Sequence, residues 1–160
     1  MSAVLAYIGL GANLGDAAAT LTDAIEALGR LPQSRLARAS SLYGSKPVGY
    51  LDQPDFINAV AAIETTLAPH DLLDALLGLE SHFGRQRTFR NAPRTLDMDV
   101  LLYGNMTHHD DRLTVPHPRM LERSFVLVPL AEIAPDLVLP DGQALAVLAE
   151  GCDRTGLNRL

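Results

Sequence analysis

The sequence predicts an α+β fold: an antiparallel sheet with helices, in the order β-α-β-β-α-β, followed by a carboxy-terminal strand and helix segment. Three observations lead to this prediction. Short apolar runs with strand character alternate with two segments whose apolar residues recur every three or four positions. Gly, Pro, Asp and Asn mark the turns between them. The 160 residues, 48% of them hydrophobic, suffice for one domain with its own core, which we expect to span residues 1–160.

The first half of the chain predicts a strand, a helix and two further strands. An apolar run over residues 4–10 favours a buried strand. Asp16 is a suitable N-cap for the helix that follows. Residues 35–43 have a weak strand pattern and residues 56–66 a stronger one. The Gly- and Pro-rich stretch between them, residues 44–55, is long enough to be a functional loop.

The second half predicts another helix, the fourth strand and the carboxy-terminal segment. Pro69 suits the first turn of a helix that Gly84 closes, and residues 95–103 form the fourth strand. Three smaller elements follow: a strand pair near residues 113–115, a helix near 125–133 and a last helix near 143–149. The resulting order is the ferredoxin-like pattern, an antiparallel sheet with helices on one face.

Charge and cysteine content exclude several classes of protein. A net charge of −6 at pH 7 argues against a general nucleic-acid-binding surface. The single cysteine, Cys152, excludes an internal disulfide and is typical of a reducing compartment. The first residues resemble no signal peptide, and no stretch reaches the length of a membrane span. We therefore expect a cytoplasmic protein whose partners are neither nucleic acid nor membrane.

Two aspartates lie in the apolar fourth strand, TLDMDVLLY. Asp97 and Asp99 are two residues apart and share one face, whereas Met98 and Val100 face the opposite way, toward helices. Two ionised carboxylates repel each other unless a cation lies between them, and their oxygens suit Mg²⁺ shared with substrate phosphates. The pattern favours a magnesium site. The alternative is a solvated sheet face with two unrelated acids.

Basic residues cluster around this strand. Seven of the 13 Lys and Arg residues fall within residues 85–123: Arg85, Arg87, Arg90, Arg94, Arg112, Arg119 and Arg123. Arginine forks bind phosphate oxygens, and carboxylates bind the same phosphates through a metal ion. The pattern is therefore typical of a nucleoside-triphosphate site. The alternative is a set of arginines that solvate loops in an acidic protein.

The third strand, which begins DFINAV, also carries unexpected polarity. Phe56 and Asn58 share one face by the same two-residue period. An aromatic ring can stack on a flat heterocycle while an amide pairs with its edge. Ordinary core packing of Phe56 beside an incidental Asn58 is the alternative.

Three other motifs predict no separate site. The glycines of GLGANLGD are spaced one residue too far apart for a dinucleotide fingerprint, and we expect Gly11-Ala12-Asn13 to shape the exit of the first strand. His108 and His109 lie in a polar turn, exposed to solvent, where no Cys or third His has a spacing that supports zinc. Cys152 has no identifiable base partner, so we expect no nucleophilic role for it.

Five blocks of sequence together resemble one family. They are YIGLGANLGD, SSLYGSKPVG, DQPDFINAV, GRQRTFRNAPRTLDMDVLLYG and LTVPHPRMLERSFVLVPLAEIAP. Over residues 6–140 the chain is similar to the 6-hydroxymethyl-7,8-dihydropterin pyrophosphokinases of folate biosynthesis. The resemblance implies transfer of the β,γ-diphosphoryl group of ATP to the hydroxymethyl oxygen of 6-hydroxymethyl-7,8-dihydropterin, giving AMP and the pterin diphosphate.

The resemblance also implies roles for individual residues. Asp97 and Asp99 match ligands of two Mg²⁺ ions, and Arg85 and Arg94 match arginines that contact the transferred group; these four are the expected catalytic residues. The expected ATP-binding residues are Glu80, Arg87, Arg112, Thr114, His117 and Arg123. The expected pterin-binding residues are Ser45, Pro47, Val48, Phe56, Asn58 and Phe125. We expect a monomer that acts on these two small molecules.

The chain departs from some family members at three places. Asn91-Ala92 stand where some members have Trp-Gly, so an aromatic lid over the pterin is not expected from this position. Leu77 stands where some have a glutamine near the adenine, and Ser45-Lys46 replace a Thr-Pro variant. These differences concern loop details and affinity. At this length we expect no fused aldolase or dihydropteroate synthase domain of the kind that some relatives carry.

Two other functions compete with this interpretation. An RNA-binding module would need exposed aromatic residues on its central strands and a basic sheet face. Aromatic residues are only 5% of this chain, and one central strand carries two acids. A small metal-binding regulatory domain would leave both arginine clusters without a role. Thermal melting with Mg²⁺ and a non-hydrolysable ATP analogue distinguishes the kinase from these alternatives.

Overall fold

The computed structural model describes residues 3–47, 51–84 and 95–160. In this part of the chain eight strands, four α-helices and one short 3-10 helix follow one another, and none of the helices is both long and apolar enough to cross a membrane. The elements are β1 (Val4–Ala12), α1 (Ala17–Leu28), β2 (Ser34–Ala39), β3 (Tyr43–Ser45), β4 (Phe56–Thr65), α2 (Pro69–His82), β5 (Asp97–Tyr103), β6 (His108–His109), β7 (Thr114–Val115), the 3-10 helix (Met120–Glu122), α3 (Ser124–Ile133), α4 (Leu145–Gly151) and β8 (Asn158–Arg159).

Strand β1 lies between β4 and β5 and is antiparallel to both. Leu10 is opposite Ala59 of β4 and Met98 of β5. Among the described residues the sheet has the order β5-β1-β4-β3-β8, and β2 also pairs with β4. The predicted ferredoxin-like sheet is confirmed, and β8 extends it by one edge strand.

The second predicted strand, residues 35–43, is divided into β2 and β3. Between them the backbone N–H of Ser40 donates to the carbonyl of Val60 at 2.8 Å, and the Ser40 hydroxyl accepts from the N–H of Val60 at 2.9 Å. A side chain therefore takes the place of one backbone acceptor, and the regular ladder is interrupted there. Strand β3 resumes pairing farther along β4, which places Ser45 opposite Phe56.

Helices α1 and α2 cover one face of the sheet. Asp16 caps α1 as predicted, since its carboxylate accepts from the N–H of Ala19 at 3.1 Å. Helix α2 begins at Pro69, as expected for a residue without an N–H. Leu21 of α1 and Leu72 of α2 are fully buried in the same cluster as Ile8 and other residues of β1, β4 and β5.

The carboxy-terminal segment covers part of the opposite face. Leu127 and Leu130 of α3 and Leu145 of α4 are buried with Tyr7, Val60 and other residues of the sheet. The two helices of the β-α-β-β-α-β pattern thus lie on one face, as predicted, and the helices of the appended segment lie on the other. Beyond α3, the end of this face that carries Gly9 and Gly11 is the floor of a cavity.

Candidate active site

Asp97 and Asp99 begin strand β5 and project from the face that α1 and α2 leave uncovered. Both line the cavity above the sheet and are half-buried. Met98 and Val100 point the other way and are buried in the cluster that contains helices α1 and α2. The side-chain alternation predicted for this strand is confirmed, and it leaves two carboxylates on one edge of the cavity.

Two glycines of β1 form the floor beside them. Gly9 is opposite Asp99, and Gly11 is opposite both Asp97 and Asn58. A Cβ atom at Gly9 would lie 3.3 Å from Leu101 Cδ2, and one at Gly11 would lie 3.2 Å from Asn58 Oδ1. Strand β1 ends at Ala12, within the stretch Gly11-Ala12-Asn13 that was expected to shape its exit, so both glycines lie inside the strand. A glycine pair two residues apart inside a strand is the sequence signal for this bare face, and the sequence interpretation missed it.

An apolar cavity of about 370 Å³ extends from the acid pair across this floor. Four of the expected pterin-binding residues line it: Ser45, Phe56, Asn58 and Phe125. Asn58 is buried, and its amide Nδ2 donates to the Ser45 hydroxyl at 2.6 Å. The guanidinium carbon of Arg123 lies 5.5 Å from the centre of the Phe125 ring. The cavity therefore combines a flat floor and two aromatic rings with a fixed amide and hydroxyl.

A second, basic cavity of about 700 Å³ lies on the other side of the acid pair. Leu73 and Leu77 of α2 line one side. The other side consists of residues from the segment around the 3-10 helix and the turn before β7, namely Arg112, His117, Pro118, Arg119 and Arg123. An apolar wall facing several cations suits the base and the phosphates of a nucleotide.

The two cavities meet at the carboxylates. Asp97, Asp99, Arg119 and Arg123 line both of them. A molecule bound in the apolar cavity and one bound in the basic cavity would therefore approach each other where two negative and two positive side chains converge. This arrangement can neutralise and orient a phosphate chain that extends from one cavity into the other.

His117 is held neutral at this junction. Burial, followed by the positive charge of Arg123, lowers the pKa of His117 from 6.5 to about 4, although the charge of Asp97 opposes the shift. Its Nδ1 accepts from the backbone N–H of Arg119 at 3.1 Å, which assigns the ring proton to Nε2. That Nε2 lies 3.9 Å from Asp99 Oδ2. The ring thus presents a neutral N–H toward the carboxylate.

Three expected site residues do not occur among the described residues that line either cavity. Glu80 is buried, and its Oε2 accepts from the backbone N–H of Met98 at 2.7 Å, so it supports β5 between the two aspartates. Thr114 lies on β7, with its hydroxyl 2.7 Å from His109 Nδ1. Pro47 is half-buried.

Several other residues bear on the predicted site. Val48, Arg85, Arg87, Arg90, Asn91, Ala92 and Arg94 lie outside the described residues, so their roles remain predictions. The structure adds three charged side chains to the lining of the apolar cavity that were not among the expected binding or catalytic residues: Lys46, Arg119 and Glu122. Arg119 belongs to the basic cluster visible in the sequence, whereas nothing in the local sequence distinguishes Lys46 or Glu122.

A ferredoxin-like sheet that holds two carboxylates between an apolar and a basic cavity suits a transferase that moves a group from an anionic substrate to a flat one. The family model described as 7,8-dihydro-6-hydroxymethylpterin-pyrophosphokinase (HPPK) matches residues 7–135. The chain belongs to this family.

Relatives in several bacteria are similar over nearly their whole length. The 2-amino-4-hydroxy-6-hydroxymethyldihydropteridine pyrophosphokinase of Pseudomonas aeruginosa is 50% identical, over 96% of this chain and 95% of its own length. The protein of the same name from Haemophilus influenzae is 50% identical over 92% of each chain. The folic acid synthesis protein fol1 of Pneumocystis carinii is 43% identical, but this chain matches only 18% of it.

Solved structures with larger chains share the fold. A crystal structure of an HPPK-DHPS in complex with substrates superposes with a TM-score of 0.78 at 12% identity, covering 100% of this chain and 47% of the other. An HPPK-DHPS of Plasmodium falciparum gives a TM-score of 0.75 at 14% identity, covering 92% and 45%. This chain spans about half the length of these solved relatives.

Proposed function

We propose that this chain transfers the β,γ-diphosphoryl group of ATP to the hydroxymethyl oxygen of 6-hydroxymethyl-7,8-dihydropterin, in folate biosynthesis. The bond between the β-phosphorus and the oxygen that bridges it to the α-phosphorus breaks, and that oxygen leaves with AMP, while a bond from the hydroxymethyl oxygen to the β-phosphorus forms. The products are AMP and the pterin diphosphate, and the hydroxyl proton passes to solvent. The observation that carries this proposal is the meeting of an apolar and a basic cavity at Asp97 and Asp99, in a chain of the HPPK family.

The apolar cavity suits the pterin. Phe56 and Phe125 offer faces for stacking, and the bare backbone at Gly9 and Gly11 lets a flat ring lie close to the sheet. Asn58 is fixed by its bond to Ser45 and retains an amide oxygen for the edge of the ring. We propose that these residues, with Pro47 and Val48 from the adjoining loop, form the pterin site.

The basic cavity suits ATP. Arg112, Arg119 and Arg123 supply positive charge, and Leu73 and Leu77 supply an apolar wall for the base. A neutral His117 can donate from Nε2 to a phosphate oxygen or to Asp99. We propose that Arg85, Arg87 and Arg94 add contacts to the phosphates, that Thr114 contributes from β7, and that Glu80 acts through the position of β5.

The acid pair fits magnesium. Both carboxylates offer hard oxygen donors at a half-exposed position, and the glycines opposite them leave room for water and phosphate oxygens. We propose that Asp97 and Asp99 hold two Mg²⁺ ions together with ATP. When bound, the metal neutralises charge on the transferred group and orients it.

The organisation of the whole enzyme is also a proposal. Both core clusters pack against the same sheet, which supports a single domain over residues 1–160. We propose that it acts as a monomer, because the two cavities are lined by one chain. The single cysteine supports the cytoplasm as its location.

The test is a direct product assay. The protein, ATP, Mg²⁺ and 6-hydroxymethyl-7,8-dihydropterin are mixed, and nucleotides and pterins are separated by chromatography. We expect AMP and pterin diphosphate in equal amounts, and no AMP when the pterin is omitted. Formation of ADP, or AMP release that does not depend on the pterin, would contradict the proposal.

A further inference from the structure

His70, His108 and Asp110 come together outside both cavities. His70 is the second residue of α2, His108 lies on β6, and Asp110 directly follows that strand. The Nε2 atoms of both histidines lie 2.7 Å from the same oxygen, Asp110 Oδ2. The three donor atoms all lie within 4.8 Å of one another. The local spacing around His108 showed no zinc motif. The reason is that the second histidine, His70, comes from helix α2, which is distant in the sequence.

The carboxylate of Asp110 is held in position for these rings. Its other oxygen, Oδ1, accepts from the backbone N–H groups of Arg112 and Leu113, each at 2.8 Å. The two imidazole rings meet edge to face, with their centres 5.6 Å apart. Two nitrogens and one oxygen therefore converge on one point from two separate elements, and fixed partners orient the oxygen.

We propose that His70, His108 and Asp110 bind one Zn²⁺ ion. Two imidazole nitrogens with one carboxylate oxygen are a donor set that zinc accepts, at distances of about 2.0–2.2 Å. The ion would take the place of the protons that now lie between each Nε2 and Oδ2. The side chains of His70, His108 and Asp110 are 40%, 38% and 35% exposed, so the ion can enter and water can complete its coordination.

The position of this site gives the ion a structural effect. It lies between α2 and the hairpin formed by β6 and β7, and the same two elements are joined by an ion pair between Asp74 and Arg112. A bound Zn²⁺ would replace the hydrogen bond between His70 and Asp110, two residues along the hairpin from Arg112, with a metal link. Zinc therefore fixes the hairpin that carries Arg112 into the basic cavity.

The test measures zinc binding in the presence of saturating Mg²⁺, which keeps Asp97 and Asp99 occupied. The full-length protein is first treated with a chelator, and Zn²⁺ is then titrated against a chromogenic competitor. We expect the wild type to bind one more zinc ion than His70→Ala or Asp110→Asn, whose affinity at this site should fall by at least about tenfold. His109→Ala, on the same hairpin, and His82→Ala, on the same helix, are matched controls and should bind as the wild type does.

A second measurement separates loss of the site from loss of the fold. Circular dichroism and melting temperatures with the chelator present show whether each variant is folded, and Asp110→Asn can keep the Oδ1 contacts to the hairpin. Added Zn²⁺ should raise the melting temperature of the wild type and of both controls, and not that of folded Asp110→Asn. Equal zinc stoichiometry and affinity in the wild type and Asp110→Asn, or a wild type without this zinc ion, would overturn the proposal.

Discussion

At the scale of single residues, the carboxylates of Asp97 and Asp99 make the sharpest prediction. Asp97→Asn and Asp99→Asn should each keep the fold, because removing one of two like charges relieves repulsion. Each should lower the rate of AMP formation by about 100-fold or more, since one electrostatic contact to the reacting group contributes roughly 3 kcal/mol. Turnover is measured at saturating Mg²⁺ and ATP.

Asp23→Asn is the control for these two variants, since Asp23 is exposed on α1 and lines neither cavity among the described residues. Its turnover should equal that of the wild type. Near-normal turnover in either cavity variant would mean that its carboxylate is not part of the reaction site.

The glycine floor gives a second prediction at this scale. A Cβ at Gly11 would lie 3.2 Å from Asn58 Oδ1. Gly11→Ala must therefore displace the Asn58 amide or crowd the pterin ring that we propose to lie over Gly11. We expect the Kd of the pterin to rise by about tenfold, equivalent to about 1.4 kcal/mol, with little change for ATP. Calorimetric titration with each substrate measures both.

Gly78→Ala is the matched control for Gly11→Ala. Gly78 is exposed on α2, and a Cβ there meets nothing within 4 Å. Because alanine favours helix, this change should stabilise the protein by about 0.5–1 kcal/mol and leave both affinities unchanged. An equal loss of affinity for pterin and ATP in Gly11→Ala would show that the floor does not discriminate between them.

Residues that line the cavity were predictable where a strand's two-residue period decides which side chains share a face. That period placed Phe56 with Asn58 and Asp97 with Asp99, and the cavity lining agrees. It could not reveal that Glu80 lies beneath β5. Contacts between distant segments depend on how helices are placed over the sheet, and a single sequence does not encode that placement in any local pattern.

At the scale of elements, the carboxylate of Glu132 joins α3 to the junction of β2 and β3. It accepts from the N–H of Ser41 at 3.0 Å and from the Tyr43 hydroxyl at 2.5 Å. Burial, together with this bond to Glu132, raises the pKa of Tyr43 to about 12. The pKa of Glu132 is lowered, because the bonds from Tyr43 and Ser41 outweigh its burial.

This contact predicts how stability depends on alkaline pH. The unfolded chain loses the Tyr43 proton near its ordinary pKa of 10.0, whereas the folded chain keeps it up to about 12. The contribution of Tyr43 is therefore complete below pH 10 and is lost as the pH rises to 12. Each proton changes the slope of stability against pH by about 1.4 kcal/mol per unit.

Between pH 10 and 12 the free energy of unfolding of Tyr43→Phe should accordingly fall less steeply than that of the wild type. The two slopes should differ by up to about 1.4 kcal/mol per pH unit. Urea unfolding at successive pH values measures the difference. Tyr103→Phe is a useful comparison, because burial also raises the pKa of Tyr103 but its hydroxyl bonds to the carbonyl of Leu67 rather than to a carboxylate. If Tyr43→Phe and the wild type had parallel pH profiles, the bond to Glu132 would not control this titration.

Most elements were predicted from their apolar patterns, including the strand pair near residues 113–115, which is β6 and β7, and the last helix near residues 143–149, which is α4. The helix expected near residues 125–133 is α3, Ser124–Ile133. The interruption of the second strand was missed, because Ser40 is an ordinary residue until its hydroxyl bonds to Val60. Strand β8 has two residues, which is too short for any periodicity to appear.

At the scale of the whole molecule, the core between the sheet and helices α3 and α4, here called the upper core, is separate from the core between the sheet and helices α1 and α2. Leu130 of α3 is fully buried in the upper core with Tyr7 and Leu145, and it lines neither cavity among the described residues. Leu130→Ala should reduce the free energy of unfolding by about 2–5 kcal/mol through lost burial and a cavity. The KM values for ATP and pterin should not change at temperatures where the variant is folded.

Val147→Ala is the control for Leu130→Ala. Val147 is 68% exposed on α4, so its truncation should change the free energy of unfolding by no more than about 0.5 kcal/mol. Denaturant unfolding and steady-state kinetics measure both variants. A rise in KM for Leu130→Ala under folding conditions would show that the upper core also sets the shape of the substrate sites.

The division of one sheet face between α3 and the cavity has a consequence for adaptation. Along β1, Tyr7 is covered by the upper core, while Gly9 and Gly11, two and four residues farther on, face the cavity. Heat tolerance and substrate preference can therefore change by separate mutations within a single strand. In a lineage that moves to a hotter habitat, substitutions in α4 and β8 can raise the melting temperature and leave the lining of both cavities unchanged, because neither element lines a cavity among the described residues.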